Sequence, residues 1–154
     1  MQNLLTSFSR LNFISLISLF LICSNVMYGA SIQLDNLNHE QQTVDLLYDF
    51  EGDVAGFQFN ITGLSMLDSA TGGAVADNGF SVSVGSSTVL GFSFSAGVIP
   101  AGSGLLTTLS FSEILSSEAC LELAGGAITN SNGVDYSADL GSCISTVPAV
   151  PGCT

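Results

Sequence analysis

The chain has 154 residues, of which 13 are acidic and only Arg10 is basic, giving a formal net charge of −12. Because no Lys or Arg follows residue 10, the rest of the chain has nothing to neutralise phosphates, which excludes nucleic acid as a partner. Anionic membrane surfaces are disfavoured for the same reason, so we expect no membrane contact once the leader described next is removed.

Residues 1–30 have the layout of a secretory signal peptide. Arg10 precedes an apolar stretch over residues 11–26, and the small residues Gly29 and Ala30 follow it. We therefore expect cleavage before Ser31 and a secreted, extracellular protein.

Two alternatives to a cleaved leader stay open. The apolar stretch approaches the length that spans a bilayer, so it would serve as a membrane anchor if it were not cleaved. Cys23 would be the attachment site of a lipoprotein, although the bulky Ile22 precedes it where a small residue is expected.

Three cysteines follow the leader. Cys120 and Cys143 flank what we interpret as consecutive strands, so we predict a disulfide between them, worth about 3 kcal/mol through loop closure. Cys153 is left over, and it is free, joins another chain, or replaces Cys143 as the partner.

The first strands follow from alternating apolar residues. Residues 31–37 form an edge-like strand, and residues 43–50 alternate outward Asp45 and Asp49 with inward apolar and aromatic side chains, Val44, Leu46, Tyr48 and Phe50. Residues 51–53 form a tight connection, which predicts a hairpin into the next strand.

Residues 54–63 contain the strand that we expect at the centre of the core. Phe57, Phe59 and Ile61 alternate there with polar residues, and Gly56 and Gly63 lie on either side. Two large aromatic side chains in one short strand are the reason for this placement.

The middle of the chain alternates loops and strands. Residues 68–79 predict a loop with one helical turn around 74–77, and residues 80–84 follow with Phe80, Val82 and Val84 inward. The turn Gly85-Ser86-Ser87 leads into residues 88–94, where we expect three more inward side chains, Leu90, Phe92 and Phe94.

Short strands close the domain. Residues 104–111 place Leu105, Leu109 and Phe111 inward, and shorter strands follow at 119–123, 127–130, 134–136 and 141–145. Residues 146–154, with Pro148 and Pro151, form a tail in extended or polyproline form. Short strands, glycine-rich turns and no long helix predict an all-β fold, an antiparallel β-sandwich over residues 31–145.

Three stretches carry a resemblance to a known family. They are Thr-Val-Asp-Leu-Leu-Tyr at 43–48, Val-Ala-Gly-Phe-Gln-Phe-Asn at 54–60 and Gly-x-Gly-Leu-Leu-Thr-Thr-Leu-Ser-Phe at 102–111. The order of elements over most of residues 31–143 resembles the cohesin-like jelly roll of the carbohydrate-binding superfamily. Cohesins bind dockerin modules through one face of the sandwich, but no dockerin-contacting residue can be matched here.

Catalytic and metal sites are not indicated, and no cofactor is expected. His39 is the only histidine and lies in a polar turn, without the nucleophile elbow of a hydrolase. Asp49, Glu51 and Asp53 are close in sequence and offer the oxygen ligands that calcium takes, which leaves a calcium site as an alternative. Their spacing does not match the EF-hand loop, so we favour a solvated acidic turn.

Asn60-Ile61-Thr62 is an acceptor triplet for N-glycosylation, and the strand alternation points Asn60 outward. Modification of Asn60 requires a eukaryotic secretory route.

Two functions are compatible with these observations. The first is a non-catalytic module for protein–protein binding or extracellular assembly, with another protein or a second copy as partner. The second is a carbohydrate-binding module of a polysaccharide-active system. The chain has no Trp, and after the leader its only polar aromatic residues are Tyr48 and Tyr136, which favours the first function because sugar sites need an aromatic platform.

Overall fold

The chain folds into two β-sheets and one short helix. The computed structural model describes residues 29–123 and 125–148. In chain order the elements are β1 Gly29–Asn38, β2 Thr43–Phe50, β3 Gly56–Thr62, β4 Leu64–Thr71, α1 Gly73–Asp77, β5 Ser81–Val84, β6 Thr88–Phe92, β7 Gly102–Ile114, β8 Glu118–Glu122, β9 Ile128–Thr129, β10 Ser137–Leu140 and β11 Ile144–Ser145.

The two sheets pack face to face. The first, called the β2 sheet, has the strand order β10-β1-β2-β7-β4. The second, called the β3 sheet, has the order β11-β8-β3-β6-β5, with β9 also paired to β3. The apolar sides of both sheets contribute to one core, which makes the fold a β-sandwich, as the sequence predicts.

Strand β1 is not the edge strand that the sequence predicts. It lies between β2 and β10, and its pairing with β10 is parallel, Gly29 opposite Ser137 and Ile32 opposite Leu140. The sandwich is therefore antiparallel except at this one pair among the described strands.

The predicted hairpin between β2 and β3 is wrong, because the chain crosses there from one sheet to the other. Val54 and Ile99 exchange two backbone hydrogen bonds of 2.8 Å, which hold the crossing segment against the 96–101 loop. The chain crosses back at Gly63, whose φ of 84° belongs to the left-handed region. A Cβ at residue 63 would lie 2.0 Å from the Glu118 carbonyl, so only glycine fits.

The core is centred where the sequence predicts it. Phe57, Phe59 and Ile61 of β3 are buried, and the ring of Phe57 stacks on Phe59 at 5.8 Å and on Phe80 at 6.3 Å between centroids. Strand β2 adds Val44, Leu46 and Phe50, and Tyr48 packs half-buried at its end. The predicted helical turn is α1, whose Ala74 and Val75 are buried.

The predicted side-chain orientation in β6 is wrong. Val89 and Gly91 face the core, whereas Leu90 is 38% exposed and Phe94, just beyond the strand, is 85% exposed. Phe92 points outward as well and is half-buried. The physical reason is the pairing register, Val84 opposite Val89 and Ser83 opposite Leu90, which is one residue away from the register that would turn Leu90 inward.

A β-bulge in β7 changes which of its side chains face the core. Leu46 of β2 is opposite Thr107, but Leu47 is opposite Leu105, so β7 carries one extra residue at Leu106. Leu106 and Thr107 are consequently both buried, and Leu105, predicted to face inward, is 37% exposed. The prediction holds for Leu109 and Phe111, which lie beyond the bulge and are buried.

The structure contains the predicted disulfide between Cys120 and Cys143, with a Cα–Cα distance of 4.3 Å. It joins β8 to the segment before β11, and these two strands pair through Ala119 and Ile144. Cys23 and Cys153 lie outside the described residues.

The ends of the domain are only partly described. Of the predicted leader, residues 1–28 lie outside the described part, whereas Gly29 and Ala30 are the first residues of β1. Of the predicted tail, Thr146 is buried, and residues 149–154 lie outside the described part. Within residues 29–123 and 125–148, no helix has the length and apolar character to cross a membrane.

Candidate functional site

The outer face of the β3 sheet carries an exposed apolar surface, here called the β6 patch, which consists of Leu90, Phe92 and Phe94. Leu90 and Phe92 point outward because their neighbours in the strand, Val89 and Gly91, face the core. The Phe94 ring lies edge-to-face against Phe92, with ring centroids 4.7 Å apart. An edge-to-face arrangement is attractive for two aromatic rings, and it leaves the far side of the Phe94 ring in water.

Small residues surround the β6 patch and form a shallow groove. The groove has a volume of about 270 Å³, and its lining includes Gly56, Gly91, Gly126, Leu90 and Phe92. A Cβ at residue 126 would lie 2.0 Å from the carbonyl oxygen of Gln58, so the 125–127 loop runs directly against β3. A partner side chain can therefore approach the backbone of β3 and β6 beside the patch.

The rest of the outer face is polar. Directly opposed residues on neighbouring strands point to the same face. One row across the sheet is formed by Ser81, Phe92, Gly56, Thr129 and Asp135. A second row is formed by Thr88, Asn60 and Glu122. The apolar patch on β6 is thus bordered by serines on one side and by hydroxyl, amide and carboxylate groups on the other.

Asn60 lies on this face, as the sequence predicts, but it is half-buried rather than free of contacts. Its side-chain oxygen accepts a 2.9 Å hydrogen bond from the Thr88 hydroxyl. Glycosylation of Asn60 stays a prediction.

The two tyrosines do not form a sugar platform. The Tyr136 hydroxyl donates a 2.7 Å hydrogen bond to the Asp53 carbonyl, and its ring packs half-buried against the core. Tyr48 lies half-buried beside Phe50, with ring centroids 4.7 Å apart. Both rings therefore contribute to the structure, and within residues 29–123 and 125–148 the exposed aromatic ring is that of Phe94.

The acidic residues do not converge. Glu51 accepts a 2.7 Å hydrogen bond from the Gly29 N–H, and Asp53 accepts one of 3.4 Å from the Ala101 N–H, so each is tied to a different segment. Within the described ranges, no group of three or more His, Cys, Asp and Glu side chains is arranged to hold a metal ion.

His39 lies exposed in the turn between β1 and β2, as the sequence predicts. The adjacent Asn38 stabilises that turn by accepting hydrogen bonds from the N–H groups of Glu40 and Gln41. This arrangement explains the polar turn without assigning a catalytic role to the histidine.

Two other grooves lie on or beside the β2 sheet. One, of about 370 Å³, includes Ser31, Gln33 and Asp49, and the other, of about 330 Å³, includes Glu51 and Asp139. Both have polar, acidic linings, and neither includes a histidine or cysteine.

A second exposed apolar group lies at the end of the sandwich where the described chain stops. Leu115 and Val147 are exposed there, and the Thr146 hydroxyl beside Val147 donates to the Ser116 carbonyl beside Leu115. Because the chain continues from this point, the β6 patch is the better candidate for contact with another molecule.

Sequence reasoning missed the β6 patch because it assigned Leu90, Phe92 and Phe94 to the core. The informative signal was Gly91, a residue without a side chain in a strand of large apolar residues. A glycine in such a strand often marks a place where another group approaches the backbone closely.

The comparisons with known proteins are sparse. No protein-family model matches the sequence, and no curated protein matches it. Among solved structures, the chain is similar to a non-cellulosomal cohesin from the hyperthermophilic archaeon Archaeoglobus fulgidus. The identity is 16%, the TM-score is 0.49, and the match covers 71% of this chain and 84% of that chain.

Proposed function

We propose that this chain is a non-catalytic β-sandwich module that binds a protein partner through the β6 patch and acts outside the cell. The observation that carries the proposal is the exposure of Leu90 in β6 and of Phe94 just beyond it, on either side of the half-buried Phe92. Exposed apolar side chains that cluster within a polar border are typical of protein interaction sites.

The surface chemistry of the patch supports protein contact. Aromatic residues are enriched in the buried centres of interfaces, where they lose little side-chain entropy on binding. Phe92 already restrains Phe94 through the edge-to-face contact. The surrounding hydroxyl and amide groups, on Ser81, Thr88 and Gln58, are suited to the wetter rim of such an interface.

Extracellular action is supported by the disulfide and by the leader-like sequence. Disulfides form and persist in oxidising compartments, and the structure contains Cys120–Cys143. The intact mass of the protein recovered from its native medium tests this part of the proposal. A product that retains residues 1–25 would contradict it.

The experiment for the binding function compares the β6 patch with a control leucine on the other sheet. Leu90 on the β6 patch and Leu105 on the outer face of the β2 sheet have almost equal exposure, 38% and 37%. Tagged wild-type protein, the double variant Leu90→Ser/Phe94→Ser and the control Leu105→Ser are incubated with extract from the native host. Captured proteins are identified, purified and titrated against the same three proteins.

We expect a purified partner to bind wild type and Leu105→Ser equally. The double variant should bind at least about tenfold more weakly, because both substitutions remove apolar contact from the patch. Equal binding to all three proteins would overturn the proposed face. Hydrolysis of an ester, peptide or glycoside that survives repurification, and is lost on changing one Asp or Glu, would overturn the non-catalytic assignment.

A carbohydrate ligand is the second candidate, and the exposed ring of Phe94 is the observation that favours it. Sugar rings stack on exposed aromatic faces, but the Asn60 oxygen, one of the groups that could orient a sugar, already accepts a hydrogen bond from Thr88. A glycan array distinguishes the two candidates. Binding to an oligosaccharide that is abolished by Phe94→Ser and kept by Leu105→Ser would favour the second.

A further inference from the structure

We propose that the partner of the β6 patch is a polypeptide segment that presents an apolar side chain with Lys or Arg side chains to one side of it. This inference rests on the proposed function and adds the chemistry and polarity of the partner. It arises from the way the outer face of the β3 sheet divides into an apolar part and an acidic part.

The acidic part lies at a defined distance from the patch. Glu122 is two strands away from Thr88 along one row, and Asp135 is three steps away from Phe92 along another. With neighbouring strands about 4.8 Å apart, the backbone separation is about 10 Å from Thr88, two residues before Leu90, to Glu122, and about 14 Å from Phe92 to Asp135. Both carboxylates are on exposed residues.

The charge of the whole chain favours a cationic partner over a second copy. No Lys or Arg occurs after residue 10, so the folded domain offers no cation to pair with Glu122 or Asp135. Two copies meeting through this face would bring their carboxylates together without counter-charges, which opposes association. A partner with Lys or Arg at the corresponding distance from its apolar anchor gains attraction instead.

The apolar and charged contacts have different expected roles. The β6 patch provides the area that leaves water, which mainly sets how slowly the complex dissociates. Exposed carboxylates contribute less to affinity, but they orient the approaching partner and make association sensitive to salt. A polypeptide with an apolar anchor and flanking Lys or Arg side chains is therefore bound in one orientation, with the Lys or Arg side chains toward Glu122 on β8 and Asp135.

The test uses three synthetic amphipathic peptides of about 18 residues that share one helical design. The first has a Leu and Phe stripe with Lys along one side, the second has Glu in place of each Lys, and the third has Ser in place of the stripe. Binding to the full-length protein is measured by fluorescence anisotropy at about 50 mM and about 500 mM NaCl, a range over which exposed charges become screened.

Two double variants separate local charge from overall charge. Glu122→Gln/Asp135→Asn removes the carboxylates beside the patch. Asp49→Asn/Asp139→Asn is the matched control, because these exposed residues lie opposite Ser31 on the β2 sheet and their loss changes the net charge equally.

We expect the Lys peptide to bind best and to weaken about tenfold at the higher salt. Glu122→Gln/Asp135→Asn should weaken it about fivefold, and the control by less than about twofold. The Glu and Ser-stripe peptides should both bind at least about tenfold more weakly than the Lys peptide.

Each contrary outcome has a distinct meaning. If the two charge variants weakened binding of the Lys peptide equally, or if the Lys peptide did not bind, the inference about the acidic part of the outer face would be overturned. Equal binding of the Lys and Glu peptides, both sensitive to Leu90→Ser/Phe94→Ser, would overturn the cationic partner and leave the proposed face standing. Binding of the Lys peptide that is insensitive to Leu90→Ser/Phe94→Ser would overturn the proposed face itself.

Discussion

The ring of Phe57 occupies the space that a side chain at Gly91 would need. An ideal Cβ on Gly91 would lie 2.1 Å from Cζ of Phe57 and 2.4 Å from its Cε1. The two residues pair directly across β3 and β6 and both face the core. Packing therefore requires a glycine at residue 91. Because Gly91 pairs with Phe57 and faces the core, its neighbours Leu90 and Phe92 face outward.

Gly91→Ala is accordingly expected to destabilise the fold. The added methyl forces Phe57 out of its position, and overpacking of this kind costs about 1–3 kcal/mol or more. Gly85→Ala is the control, because a Cβ there has its nearest contact at 3.7 Å, with the Thr88 carbonyl. Urea unfolding of both variants gives the comparison, and equal midpoints would show that β6 does not hold the register described here.

Phe57 and Phe94 should respond very differently to the same truncation. Phe57→Ala removes a buried ring and leaves a cavity, with an expected loss of about 3–5 kcal/mol. Phe94→Ala removes a ring that is 85% exposed, so its effect on stability should stay within about 0.5 kcal/mol. The free energy of unfolding of the two variants measures the difference. A large loss for Phe94→Ala would mean that its ring belongs to the core and that the β6 patch does not exist.

The sequence was sufficient for the fold class and the core because alternation and glycine turns are local signals. Residues 43–50 and 57–61 behave as their alternation predicts, since each has one face of large apolar side chains with no competing pattern on the other face. The Cys120–Cys143 pairing was also predicted, and the structure explains it, because Cys120 lies in β8 and Cys143 directly precedes β11, its hydrogen-bonded neighbour.

Apart from the signal of Gly91, the orientation of the candidate site was not predicted because it depends on the length of the loop before β6. If only Gly85, Ser86 and Ser87 form the turn, Val84 pairs with Thr88 and Leu90 faces inward. In the structure Val84 pairs with Val89, so the loop holds one more residue. The Gly85 N–H donates to the Thr88 carbonyl within this longer loop. A shift of one residue exchanges the two faces of the strand, and both faces of β6 contain apolar residues.

The bulge in β7 gives a sharp test with two adjacent leucines. Simple alternation through Leu105, Leu109 and Phe111 is broken by the extra residue opposite Leu46 and Leu47. Leu106→Ala should therefore cost about 2–5 kcal/mol, as a fully buried leucine does. Leu105→Ala should cost less, about 1 kcal/mol, since Leu105 is 37% exposed and loses less buried apolar contact than Leu106. If Leu105→Ala unfolded at a lower midpoint than Leu106→Ala, Leu105 would be the buried residue and β7 would have no bulge at Leu106.

The disulfide should stabilise the sandwich at the end of the β3 sheet. Cys120 and Cys143 are 23 residues apart, and closing a loop of this length is worth roughly 3 kcal/mol in the chain-entropy description. Beyond this covalent link, β11 is a two-residue strand that pairs with β8 through Ala119 and Glu118. Cys143→Ser should lower the midpoint of thermal unfolding and release β11 first, which amide hydrogen exchange at Ile144 and Ser145 would show. Cys153→Ser is the control, and peptide mapping without reduction identifies the partner. A Cys143–Cys153 fragment, or equal destabilisation by Cys153→Ser, would contradict the pairing and assign the tail a structural role.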